Sequence, residues 1–143
     1  MLDIFFVAVI MRCSLKTAEG GGMEPGMKIL FVDDLNMALR TYQLMCASID
    51  GVRTDVASSG QEALELLEQN NYDILFTDYN MPGMNGVALI RHARALGREM
   101  KIVMISATPP DDHGADDVLE KPVGKGLKQF ILAHLQQRKK VQK

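Results

Sequence analysis

The chain has 143 residues, 47% of them hydrophobic, enough to bury one core and too few to divide into several domains. A formal net charge of −2 and a pI near 5.9 exclude a long-range field that would draw the molecule onto nucleic acid or an anionic membrane. The two cysteines, Cys13 and Cys46, stand far apart without CxxC or Cys/His spacing, which argues against a zinc site or a disulfide framework and for a reducing, cytoplasmic setting.

Residues 1–10, MLDIFFVAVI, are strongly apolar. A run this short cannot cross a bilayer as a helix, and no positive charge precedes it, so neither a membrane span nor a signal peptide is expected. TAEGGGMEPG, residues 17–26, reads as a linker, and Met23 or Met27 could be the natural start. Residues 1–26 are therefore expected to be a leader and linker, inert or else an added strand, a dimer contact or an interfacial anchor. The domain proper is expected over 27–138, with a polar tail over 139–143.

KILFV, residues 28–32, is a short apolar run followed by acids, as in a strand buried on both faces of a parallel sheet. Leu35, Leu39, Tyr42, Met45, Cys46 and Ile49 recur at three- and four-residue spacing, predicting a helix with one apolar stripe that stops at Gly51. VRTDVA is a weak strand. Ser59 and Glu62 form a capping box before a second helix whose core face is Ala63, Leu66 and Leu67. DILFT, residues 73–77, is a third strand ending at Asp78, and the turn-rich NMPGMNG follows. VALIRHARAL is a third helix closed by Gly97, and KIVMIS a fourth strand. VLEK, ending at Lys121, is a short fifth strand, and the last helix carries Leu127, Phe130, Ile131, His134 and Leu135 on one side. Strands alternating with helices imply an α/β fold with a parallel, doubly wound sheet.

Polar side chains collect at the carboxyl ends of those strands: Asp33 and Asp34 after the first, Asp78 after the third, Ser106 after the fourth and Lys121 after the fifth. Ligands bind in the crevice outside those ends. Three carboxylates gathered there repel one another unless a cation sits among them. Mg²⁺ suits hard oxygen donors and takes one or two carboxylates plus a phosphate oxygen, and a carboxylate can itself be the nucleophile that forms an aspartyl-phosphate. Singly, each residue has a plainer reading: Asp33 or Asp34 as a helix cap, Ser106 as a strand-end hydroxyl, Lys121 as a surface lysine. Their convergence favours a site.

FVDD at 31–34, TDYNMPGMNG at 77–86, ISA at 105–107 and EKP at 120–122 resemble the signature blocks of response-regulator receiver domains of two-component signalling, in order and each at the end of its own strand. The resemblance implies a flavodoxin-like fold with five parallel strands in the order 2-1-3-4-5. It implies that Asp78 is the phosphoacceptor, that Asp33, Asp34, Asp78 and the backbone carbonyl of Asn80 hold Mg²⁺, that Ser106 bonds the phosphoryl oxygens, and that Lys121 neutralises their charge, with a cis Lys121–Pro122 bond. It implies a signalling domain rather than an enzyme, charged by a phosphohistidine on a histidine kinase or a histidine phosphotransfer protein. Output would pass to a downstream protein target, since only a few residues follow the last helix.

Two features depart from that pattern. Only ATPPDDHGADD, residues 107–117, separates the fourth strand from the fifth, with Pro109, Pro110, Gly114 and no apolar stripe, so the helix expected there is absent or reduced to one turn. Three residues before Lys121, where the family often has an aromatic residue, this chain has Val118. These departures keep open a second reading, a receiver-like scaffold or dimerisation module that no longer switches; a homodimer is possible under either. A hydrolase of the aspartate-nucleophile class is disfavoured, because the second acid it needs two residues after the nucleophile is Asn80 here.

Overall fold

The computed structural model describes residues 26–141, so the expectations for residues 1–25 lie outside the described residues. Five strands, β1 (Met27–Val32), β2 (Val52–Ala57), β3 (Ile74–Asp78), β4 (Lys101–Ser106) and β5 (Asp117–Glu120), form one sheet in the order β2-β1-β3-β4-β5. Every neighbouring pair is parallel. Four helices alternate with them: α1 (Asn36–Ala47), α2 (Gly60–Gln69), α3 (Gly86–Ala95) and α4 (Gly124–Val141). This is the doubly wound, flavodoxin-like arrangement expected.

The central strands are apolar on both faces because both are covered. Met27, Ile29, Phe31, Phe76, Val103 and Ile105 face α1 and α4, meeting Leu39, Tyr42, Cys46, Leu127 and Ile131. Leu30, Val32, Leu75, Ile102 and Met104 face α2 and α3, meeting Ala63, Leu67, Leu89, Ile90 and Ala93. Strand alternation thus sends successive side chains into two separate cores.

Helix α1 corrects one expectation. Leu35 does not belong to the buried stripe; it occupies the N-cap position and is 59% exposed, while Leu39, Tyr42, Cys46 and Ile49 are buried as read. The reason lies upstream: Asp33 Oδ1 accepts the Leu35 N–H at 3.0 Å, so the chain turns outward there before the helix begins. Neither acid caps α1. At α2 the box is half as drawn, since Ser59 Oγ accepts the Glu62 N–H at 3.1 Å but Glu62 reaches the N–H and hydroxyl of Ser58. Asn85, unremarked in the sequence, caps α3 by accepting the Ala88 N–H at 2.9 Å.

Residues 107–116 link β4 to β5 without a helix, as the prolines required. Parallel neighbours normally need a longer connection with a helix of its own. This one is held down instead: the Asp116 N–H donates to Ile102 O at 2.8 Å, Asp116 Oδ2 accepts the Ile102 N–H at 2.8 Å, and Arg94 of α3 reaches Gly114 O at 3.2 Å and Asp116 Oδ1 at 3.1 Å. Ala115 and Val118 pack against the α2/α3 core.

Arg98, beyond α3, donates to the carbonyl oxygens of Leu67, Glu68 and Asn70, groups that the carboxyl end of α2 leaves without helical partners. Arg98→Ala is expected to lower stability by about 1–3 kcal/mol, read as a lower denaturation midpoint, with Arg98→Lys restoring little because an ammonium cannot span three carbonyls.

Candidate functional site

Register builds the site. Val32 pairs with Thr77, so Asp33 follows β1 beside Asp78 at the end of β3. Asp78 pairs with Ile105, placing Ser106 next along β4, and Ser106 pairs with Glu120, so Lys121 comes one residue further on β5. Four strands thereby deliver their polar ends to one edge of the sheet. A carboxylate oxygen from each of Asp33, Asp34 and Asp78 lies within 4.8 Å of the others. Lys121 Nζ stands 3.1 Å from Asp78 Oδ1 and 3.7 Å from Asp33 Oδ2.

Asp33, Asp78 and Ser106 are buried and Asp34 is exposed. Burial, assisted by the charges of Asp78 and Asp34, pushes the pKa of Asp33 above its ordinary value against the opposing pull of the Leu35 N–H and Lys121. Asp33 Oδ2 is buried and accepts no hydrogen bond. A clustered, partly unsatisfied set of carboxylate oxygens fits a hard divalent cation, and this cluster could hold a metal.

Asp78 Oδ1 accepts the Tyr79 N–H at 2.9 Å and a Lys121 N–H at 3.1 Å. Ser106 Oγ accepts the Thr108 N–H at 3.1 Å, leaving its own proton to donate elsewhere. Asn80 lies exposed on the loop leaving β3. The Lys121–Pro122 bond is cis, as expected.

Gly86 closes the TDYNMPGMNG motif, and the fold requires a glycine there. Its N–H donates to Tyr79 O at 2.9 Å, closing the loop after Asp78 back onto β3. A Cβ there would overlap the Asp78 carbonyl oxygen and stand 3.0 Å from Tyr79 Cα. Tyr42 packs in the core, and burial first, then the charges of Asp33 and Asp78, raise the pKa of its phenol. No sequence spacing announces either contact, because each joins elements through the fold.

The frame is a doubly wound parallel sheet with an acid cluster and a lysine at its carboxyl edge. Residues 29–131 match the model of the response regulator receiver domain, and the chain belongs to that family. It is 38% identical over 89 residues to the chemotaxis protein CheY of Pseudomonas aeruginosa, spanning 61% of this chain and 72% of that one. A CheY-like receiver domain from Methanospirillum hungatei superposes with a TM-score of 0.72 at 25% identity, covering 80% of this chain and 98% of the other. The receiver domain of Ssk1 from Saccharomyces cerevisiae, solved with the histidine phosphotransfer protein Ypd1, shares the fold at 19% identity and a TM-score of 0.64, covering 74% of this chain and 86% of that one. Among the described residues no helix is long and apolar enough to cross a membrane.

Gly86→Ala is expected to destabilise the fold by about 2 kcal/mol or more, because the clash is with backbone. The raised pKa of Asp33 couples stability to pH. The folded state holds that proton more tightly than the unfolded chain, so metal-free stability declines as pH rises from the ordinary aspartate value through the folded one. Asp33→Asn is therefore expected to raise the metal-free melting temperature at neutral pH by a few degrees, about 2–6 °C for roughly 1 kcal/mol, and to abolish stabilisation by Mg²⁺. Thermal melts with and without Mg²⁺ check both.

Proposed function

We propose that the chain is a single-domain response regulator that accepts a phosphoryl group on Asp78 and signals through protein contacts. The single observation carrying this reading is the grip of Lys121 on Asp78 Oδ1 at 3.1 Å, inside a cluster of three acids. The lysine orients the carboxylate and leaves Oδ2 to attack.

Oδ2 forms a bond to phosphorus as the phosphorus–nitrogen bond of a phosphohistidine breaks, and the electron pair leaves with the imidazole nitrogen. Asp33, Asp34, Asp78 and the Asn80 carbonyl would hold Mg²⁺, which when bound screens the acids and the charge on the transferring oxygens. Lys121 balances the same charge from the opposite side, and Ser106 donates its hydroxyl to a phosphoryl oxygen. The protein's contribution is positioning and electrostatics, since the group in transit needs little covalent help.

The donor in this reading is a histidine kinase or histidine phosphotransfer protein in the cytoplasm; the complex of the Ssk1 receiver with Ypd1 supports that partner class. Leu35 and Met37, 59% and 84% exposed beside Asp34, offer a donor apolar contact at the mouth of the site. The domain boundaries 27–138, with the leader and tail outside them, belong to the same proposal.

Incubation with Mg²⁺ and acetyl phosphate is expected to add one phosphoryl group to the chain by intact mass and none to Asp78→Asn. Lys121→Ala should slow the addition about a hundredfold. An unmodified wild type would sink the reading.

The crossover without a helix favours a second reading, a scaffold that does not switch. The two differ at Thr108, whose N–H is held by Ser106 Oγ. If Ser106 turns inward to a phosphoryl oxygen, the Thr108 amide loses that acceptor, and its hydrogen exchange should quicken severalfold with a beryllofluoride mimic. Unchanged exchange at Thr108 and a constant oligomeric state would favour the scaffold.

A further inference from the structure

Helix α1 carries apolar side chains on two opposite sides. Leu39, Tyr42 and Cys46 turn into the core, while Met37 and Leu44, 84% and 54% exposed, stand seven residues apart on the outward face. Thr41 and Ser48 share that face, and both hydroxyls are turned back onto the helix. Thr41 Oγ1 donates to Met37 O at 2.8 Å and Ser48 Oγ to Met45 O at 2.9 Å. The outward row therefore presents carbon where a surface helix normally presents charged or polar groups. With Leu35, 59% exposed, α1 and its amino end hold three of the four large hydrophobic side chains that stand exposed among the described residues.

Size and connection select what covers this row. Two large side chains and a threonine methyl are too little to hold a second copy, since a stable interface between proteins buries about 1,200–2,000 Å². A segment tethered to the same chain needs far less, because the tether raises its local concentration to millimolar order. Such a tether joins the domain next to α1. The Met27 N–H donates to Gly51 O at 2.7 Å, and a Cβ on Gly26 would stand 3.0 Å from the same oxygen, so the chain enters β1 beside the turn that follows the carboxyl end of α1. Residues 11–25 can span at most about 50 Å, and α1 is only about 18 Å long. Beyond them lies MLDIFFVAVI, residues 1–10, in which Asp3 is the one charged side chain.

We propose that residues 1–10 dock on the outward face of α1, their apolar side chains against Met37, Thr41 and Leu44. Docked there, the segment stands beside the Leu35 and Met37 contact that the proposed function gives to a phosphodonor. The docking itself goes beyond that reading and does not depend on it.

The full chain carries its own probe. Cys13 adjoins the apolar run, while Cys46 is 1% exposed and burial pushes its thiol up to about 12, so a nitroxide reagent at neutral pH marks Cys13 alone. In chain with isotope-labelled methionine and leucine methyls, the paramagnetic group is expected to broaden the NMR signals of Met37 and Leu44 severalfold more than that of Leu96, which packs on the other face of the sheet. Phe5→Asp combined with Phe6→Asp leaves the tether length unchanged and is expected to abolish that difference. Oxidation gives an independent reading: peroxide should convert Met37 to its sulfoxide severalfold more slowly in the wild type than in the double variant.

Broadening of Met37 and Leu44 that is the same with and without the two aspartates overturns the docking, as does oxidation of Met37 at one rate in both chains. Isotope-labelled chain mixed with nitroxide-bearing unlabelled chain tests the rival occupant. Equal broadening of Met37 in that mixture assigns the row to a second copy and overturns the contact within one chain. Wild type that shows the docking but takes no phosphoryl group from acetyl phosphate would sink the phosphoacceptor reading and leave this one standing.

Discussion

The structure depends on keeping like charges together. Parallel pairing brings Asp33 and Asp78 side by side at one sheet edge with Asp34 at their flank, and buried carboxylates in company oppose folding. Opposing that cost are the Leu35 and Tyr79 N–H groups and the ammonium of Lys121, none of which neutralises all three acids. A cation held among them would do so in one step and would couple the stability of this edge to its occupancy. The arrangement that makes the cluster unfavourable alone is the one that could hold a small hard ion.

Precision at that edge comes from what lies beneath and beside it. The stack of Tyr42, Phe31 and Phe76 forms a rigid floor, with Phe130 edge-on at 5.9 Å from Phe76. Gly86 draws the amino end of α3 onto the backbone of Asp78, and Asn85 caps the helix one residue earlier. Asp78 is thus held by its strand, by the lysine and by the loop that follows it.

Most of this fold was legible because parallel strands are short apolar runs and the chemistry sits at their ends. KILFV, DILFT and KIVMIS could be placed from residue type alone, and the proline-rich 107–116 announced the lost helix. What escaped depends on geometry that periodicity does not carry. Leu35 fits a three-and-four spacing but stands outside the helix because the Asp33 carboxylate holds its amide. The crowding at Gly86 and the field around Tyr42 each join elements through space, so neither can be read from spacing within one segment.

The connection between β4 and β5 sets the surface that this edge of the domain offers to a partner. In place of a helix, this surface presents Pro109, Pro110 and an acidic turn containing Asp111 and Asp112, strapped to α3 by Arg94. A protein that grips a helix at that place finds no ridge to hold, whatever the state of Asp78. A connection built this way offers a binding partner an acidic, proline-stiffened surface in place of a helical face.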